Sequence, residues 1–129
     1  MSVLVGRKAP VFRATAVVNG SEIVSDFSLE TYAGKKYVLF FFYPADFSAV
    51  CPTEILAFQE RMAEFDERNV AVVGCSGDSQ FVHQKWLSIP LKQGGIEGVR
   101  YPLVADTAKT IMQQYDVLAG DYLYNEEGE

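Results

Sequence analysis

The run Tyr37-Val38-Leu39-Phe40-Phe41-Phe42-Tyr43 constrains the fold more than any other part of the chain. Successive side chains of a strand point to opposite faces, so a run with no charged member is apolar on both. That pattern predicts a strand buried in the middle of a sheet with helices on either side. Pro44 ends it, because proline has no N–H to give to a ladder. The run is far shorter than the ~20 apolar residues that a membrane helix needs, so no membrane role is expected.

A loop follows to Cys51, and the stretch from Pro52 to Arg68 is predicted to be helical. Ile55, Phe58, Met62 and Phe65 recur at helical steps and make one apolar stripe for the core. Asn69 suits a left-handed C-terminal cap. Val70-Ala71-Val72-Val73-Gly74-Cys75 is a second apolar strand. Strand, helix and strand in that order imply parallel pairing and a right-handed crossover.

Upstream, Val17 to Val24 contains Asn19-Gly20, which supplies the positive φ angles of a hairpin turn. Residues 26–34 are a short polar or helical connection closing at Gly34. Downstream, Asp78 or Ser79 caps a helix through Trp86 and Leu87 that stops before Pro90. Gly94, Gly95 and Gly98 mark an exposed loop, and Tyr101 to Ala105 is a shorter strand. Thr107 is expected to cap a last helix whose inward stripe is Ile111, Met112 and Tyr115. Gly120 to Glu129 has no readable element. No repeat, low-complexity tract or linker divides the chain, so residues 1–129 are expected to form a single domain.

Charge and composition exclude several functions. The formal net charge is −6, and the Lys and Arg residues form no basic stripe, so nucleic acid is not an expected partner. The first residues have no charged start leading into a long apolar stretch, so no signal peptide is read and a cytoplasmic location is the default. With His83 as the only histidine and the two cysteines far apart, neither a metal site nor a cofactor is expected.

The reactivity of the cysteines is then the question. Proline is tolerated in a helix only in the first turn, so Pro52 places Cys51 at the N-cap or first turn. There the free N–H groups and the dipole favour an anion, and the thiolate is the attacking form of a thiol. A fall in pKa from ~8.5 to ~6 would raise the thiolate fraction at pH 7 from about 3% to about 90%. Something must also orient the substrate. Ser48, three residues earlier, has a hydroxyl able to accept from one partner and donate to another, although it also suits an ordinary helix cap. Pro44 would wall the site from water. Glu54 is a first-turn acid favoured by the dipole and able to hold a cationic partner. Cys75, in an apolar strand, reads as a buried space-filler. His83 and Trp86, one turn apart, read as packing or interface rather than as a Cys/His dyad.

The segment Phe42-Tyr43-Pro44-Ala45-Asp46-Phe47-Ser48-Ala49-Val50-Cys51-Pro52-Thr53-Glu54 resembles the typical two-cysteine peroxiredoxins, the group that includes the alkyl hydroperoxide reductase C subunit. It holds their Pro-x-x-x-Thr/Ser-x-x-Cys signature as Pro44, Ser48 and Cys51. Val5 to Pro10, Asp78 to Trp86 and Gly94 to Asp106 are similar as well. The resemblance implies a thioredoxin-like α/β fold, a mixed sheet with flanking helices. It implies a thiol peroxidase in which Cys51 attacks the O–O bond of hydrogen peroxide or an alkyl hydroperoxide and becomes a sulfenic acid. Pro44 and Ser48 would be the matching active-site residues, with Glu54 in support. A thiol reductant of thioredoxin-like or flavoprotein disulfide-reductase type, and a homo-oligomeric state, are implied too.

Three departures accompany the resemblance. Ala49 stands where the family usually has Phe, and Gly77 replaces a commonly apolar or small polar residue. The family's catalytic arginine and resolving cysteine fall beyond Glu129, and neither Arg100 nor Cys75 matches their motifs. The strand carrying that arginine would pair with Tyr37 to Tyr43, so an open sheet edge is expected here. The competing reading is a non-catalytic or weakly active fragment that oligomerises or senses oxidant through Cys51. A general thiol–disulfide oxidoreductase is disfavoured, because Cys51 is followed by Pro52-Thr53-Glu54 and not by a second cysteine two residues on.

Overall fold

The computed structural model describes residues 5–47 and 51–117. Five strands form one mixed sheet: β1 (Ala14–Val18), β2 (Glu22–Phe27), β3 (Tyr37–Phe42), β4 (Val70–Ser76) and β5 (Leu103–Ala105), in the order β2-β1-β5-β4-β3. β3 pairs with β4 and β4 with β5 in parallel, whereas β1 is antiparallel to both β2 and β5. Among the described residues four α-helices accompany them: α1 (Cys51–Glu60), α2 (Met62–Glu67), α3 (Gln80–Ser88) and α4 (Thr110–Gln114). This is the thioredoxin-like arrangement the resemblance implies.

The pleat of β3 explains its composition. Leu39 and Phe41 join a core with Ile55, Phe58, Met62, Phe65, Trp86 and Leu103, under α1, α2 and α3. Val38, Phe40 and Phe42 face the other way, into a core with Phe12, Val73, Ile111 and Tyr115. Both faces are covered, as the apolar run predicts. Its place in the sheet is different from the middle position expected, because among the described residues β3 is bonded to β4 alone and is an edge. An apolar pattern on two faces reports layers above and below a strand, and says nothing of neighbours at its sides. The open edge expected from the resemblance is present among the described residues.

The helical stretch after Cys51 is two helices. The break falls at Arg61, whose backbone has φ −106° and ψ 16°, and Phe65 N–H still donates to the Arg61 carbonyl at 3.1 Å. The apolar stripe survives the break, so the core dictated the pattern. Asn69 takes the left-handed conformation at φ 60°, its carbonyl accepts from Tyr37 N–H at 3.0 Å, and its side chain donates to the Lys35 carbonyl at 2.7 Å. One residue thus ends α2 and sets the register in which β3 and β4 begin. The hairpin turn also forms as expected, with positive φ at Asn19 and Gly20.

Two local expectations are corrected. Ser79 caps α3 by accepting from Val82 N–H, but Thr107 does not cap α4. Asp106 does so, its two carboxylate oxygens accepting from Ile111 N–H at 3.1 Å and Met112 N–H at 2.9 Å. A longer lead-in and two acceptors let Asp106 serve from a distance at which Thr107 has no role. The glycine segment after Pro90 is only partly exposed, since Gly95, Ile96 and Val99 are buried and Trp86 Nε1–H donates to the Gly94 carbonyl at 3.0 Å.

Gly95 and Gly77 should behave oppositely. A Cβ on Gly95 would run into the Ile89 backbone, whereas one on Gly77 would meet only ordinary contacts with Met112 and Lys109, the nearest at 3.6 Å. Gly95→Ala should therefore cost ~1–3 kcal/mol and Gly77→Ala less than about 0.5 kcal/mol, measured as shifts in urea midpoint. Equal effects would contradict this packing.

Candidate active site

The parallel ladder of β3 and β4 runs to Phe42 opposite Cys75, and Tyr43 N–H extends it by donating to the Cys75 carbonyl at 3.0 Å. Both strands therefore end together, and the segments that follow them meet at the C-terminal edge of the sheet. That edge is where open α/β sheets place their binding sites. Pro44 lies exposed just beyond β3. With Phe42, Tyr43, Met112 and Val117 it lines a cleft of about 620 Å³.

The chain then turns inward. Asp46 is 7% exposed, and Phe47 adopts a left-handed φ of 63° with its ring 5.9 Å from that of Trp86. A left-handed non-glycine residue is uncommon, and here it turns the backbone directly after Asp46. Ser48 and Ala49 fall outside the described residues. Cys51 is the first residue of α1, a 10-residue helix with Pro52 next and Glu54 as the acid of its first turn. Glu54 is exposed and Pro52 half-buried. So the structure places Cys51 at the helix start that Pro52 predicts, and Pro44 at the other end of the same loop. The helix is fixed to the sheet through Ile55, fully buried, whose carbonyl accepts from the Tyr101 hydroxyl at 2.8 Å.

A buried polar network holds the near end of the loop. Tyr43 O–H donates to Asp46 Oδ1 at 2.7 Å, and Asp46 Oδ2 lies 2.6 Å from His83 Nδ1. His83 Nε2 meets the Val104 carbonyl at 3.0 Å. Asp46 N–H donates to Asp78 Oδ2 at 2.7 Å, and Ser76 O–H donates to the same oxygen at 2.8 Å. His83 and Asp46 have no exposed side-chain surface. Burial, then the Asp46 carboxylate, holds the Tyr43 phenol well above its ordinary range. Breaking a buried pair of this kind by removing one partner typically costs about 3–5 kcal/mol.

His83 is buried, as the packing reading expected, but its partner was missed. The available signal was an aspartate in the Tyr43-Pro44-Ala45-Asp46 turn and a lone histidine on a helix otherwise spaced for the core. Cys75 is fully buried, and burial, with the Asp106 carboxylate second, pushes its thiol far up. It is a space-filler. Among the described residues no group of three His, Cys, Asp or Glu side chains could hold a metal ion, and no helix is long and apolar enough to cross a membrane.

A thioredoxin-like sheet with a cysteine opening the helix after a buried strand defines a class of thiol proteins. The chain matches the AhpC/TSA family over residues 5–127 and belongs to it. It is 50% identical over 112 residues to peroxiredoxin 2 of Drosophila melanogaster, covering 87% of this chain and 56% of that protein. Against the thioredoxin peroxidase of Echinococcus granulosus it is 46% identical over 121 residues, covering 94% and 61%. The reduced 2-Cys peroxiredoxin of Plasmodium vivax superposes with a TM-score of 0.86 at 43% identity, covering 90% of this chain and 71% of that one. The chain thus spans somewhat over half the length of the curated relatives it matches.

Raised pKa values fix the sign of the alkaline response. The folded chain keeps the Cys75 and Tyr43 protons at pH values where the unfolded chain has lost them. Their contribution to stability is full below the unfolded values, about 8.5 and 10, and is lost as pH rises beyond each. Stability should fall by up to ~1.4 kcal/mol per pH unit per group, and Cys75→Ala should flatten the fall between about pH 8.5 and 10. Urea midpoints against pH test this, and parallel curves for the two proteins would contradict it.

Proposed function

We propose that this chain is a thiol-dependent peroxidase that reduces hydrogen peroxide and alkyl hydroperoxides through Cys51. The observation that carries the reading is the position of Cys51 as the first residue of α1, directly before Pro52, at the end of the sheet where β3 and β4 stop together. Helix N–H groups and the dipole stabilise the thiolate there. The thiolate sulfur attacks one peroxide oxygen, the O–O bond breaks, and the departing alkoxide or hydroxide takes up a proton to leave as alcohol or water. Sulfur is oxidised to the sulfenic acid, and the peroxide is reduced by two electrons.

Ser48, Pro44 and Glu54 are assigned supporting roles: the Ser48 hydroxyl orients the peroxide, Pro44 bounds the loop, and Glu54 sits in the first turn as an acid able to hold a cation. The names of the relatives support peroxide as substrate, and the name thioredoxin peroxidase supports a thioredoxin-type reductant. A thiol completes the cycle by condensing with the sulfenic acid to a mixed disulfide with loss of water. A second thiol of thioredoxin type, or a flavoprotein disulfide reductase, reduces that disulfide to free the Cys51 thiol. The active form is a homo-oligomer. A role as an oxidant-sensing module without turnover has no observation of its own in its favour.

Cys51→Ser should abolish peroxide consumption, while Cys75→Ser should leave most of it, because the buried thiol has no access to substrate. Stopped-flow peroxide loss under excess thiol reductant measures both. Equal loss in the two variants, with both folded by circular dichroism, would end the assignment.

A further inference from the structure

The Val104 carbonyl can only accept, so the His83 Nε2 that faces it at 3.0 Å bears a proton. Asp46 Oδ1 is already engaged by the Tyr43 hydroxyl. The 2.6 Å contact between Nδ1 and Oδ2 therefore contains one proton, and the pair satisfies every polar atom it buries only with that proton present. Asp46 lies on the segment leading from β3 to Cys51, His83 on α3, and Val104 on β5. Tyr43, just past β3, and His83, on α3, both meet the carboxylate of one loop residue, and His83 is itself held by Val104 of β5. Asp78, held by Ser76 at the end of β4, grips the backbone of the same residue. Phe47, in its left-handed conformation, follows directly. The segment from Tyr43 to Phe47 is thus anchored at both side chain and backbone by buried groups.

We propose that Asp46 and His83 are positioning residues, a buried latch that fixes the course of the loop into α1 and so keeps Cys51 in its reactive arrangement. The latch rests on the peroxidase reading for its consequence, but not for its existence. It works by hydrogen-bond geometry and not by the charge of Asp46. An asparagine at position 46 would keep the contacts of the latch: its Nδ2–H donates to Nδ1 of a neutral imidazole, Nε2–H still reaches Val104, and Oδ1 still accepts from Tyr43.

The test compares the whole 129-residue chain with Asp46→Asn and Asp46→Ala. Amide hydrogen exchange of the peptide spanning Tyr43 to Cys51 and the rate of peroxide consumption are read on each. Asp46→Ala should exchange at least about tenfold faster and lose roughly tenfold to a hundredfold in rate, since small misplacements of a reacting group cost that much. Asp46→Asn should stay within about threefold of the parent in both measurements. If Asp46→Ala does not fold, Asp46→Asn combined with His83→Phe carries the same comparison, keeping a ring in place of the imidazole and leaving no unpaired charge. Unchanged exchange in the latch-broken variant, or Asp46→Asn as impaired as that variant, would overturn the latch. A parent chain that consumes no peroxide would overturn the peroxidase reading, and the exchange comparison would still decide the latch by itself.

Discussion

The parallel ladder between β3 and β4 is the interaction on which the rest depends. Its register, Tyr37 opposite Val70 through Phe42 opposite Cys75, brings both strands to their C-terminal ends at one level. The loop to Cys51 leaves from one end and the Ser76-Gly77-Asp78 turn leaves from the other. Had the register slipped by one residue, every side chain of β3 would change face, and the two cores would exchange their partners. Asn69 guards against that slip. Its left-handed backbone and its bonds to Tyr37 and Lys35 tie the start of β4 to the start of β3. A residue at the bottom of the sheet thus decides what meets at the top.

Much of this was legible from local signals. Pro52 dated the start of α1, Asn19-Gly20 the hairpin, and the Ile55, Phe58, Met62 and Phe65 spacing the buried side of the helices. What escaped was non-local. The edge position of β3 depends on which strands lie beside it, and side-chain alternation carries no record of that. The break at Arg61 leaves the stripe intact, so periodicity could not reveal it. The Asp46–His83 pair joins residues 37 positions apart, and neither has a local pattern naming the other. Of the candidate site, Cys51 and Pro44 were placed at the two ends of one loop by their own chemistry. The network holding that loop required the fold.

Position in the fold separates the two cysteines more sharply than their sequence contexts do. Cys75 is in the middle of the second core, where an anion would lose its hydration and face Asp106, so its thiol stays protonated. Cys51 begins a helix, where backbone N–H groups lack helical partners. The same thiol is a small hydrophobe in one place and a candidate nucleophile in the other. The strand order produces the contrast, since β4 is covered on both sides and faces while α1 starts beyond the sheet's end.

The open side of β3 has consequences for the site as well. Its residues from Val38 to Phe42 are only half-buried, whereas β4 is buried along nearly its whole length. An edge with apolar side chains on both faces and an unfilled row of backbone groups favours pairing with a further strand. The cleft beside it is lined by Phe42, Tyr43 and Pro44 together with Met112 and Val117 from the α4 region. These are the residues through which β3 hands over to the loop. Tyr43 has its backbone in the ladder and its hydroxyl on Asp46, so a displacement of the edge is transmitted to the latch through one side chain. A strand added at this edge would act on the loop that leads to Cys51 through Tyr43, so the sheet edge and that loop are one mechanical unit.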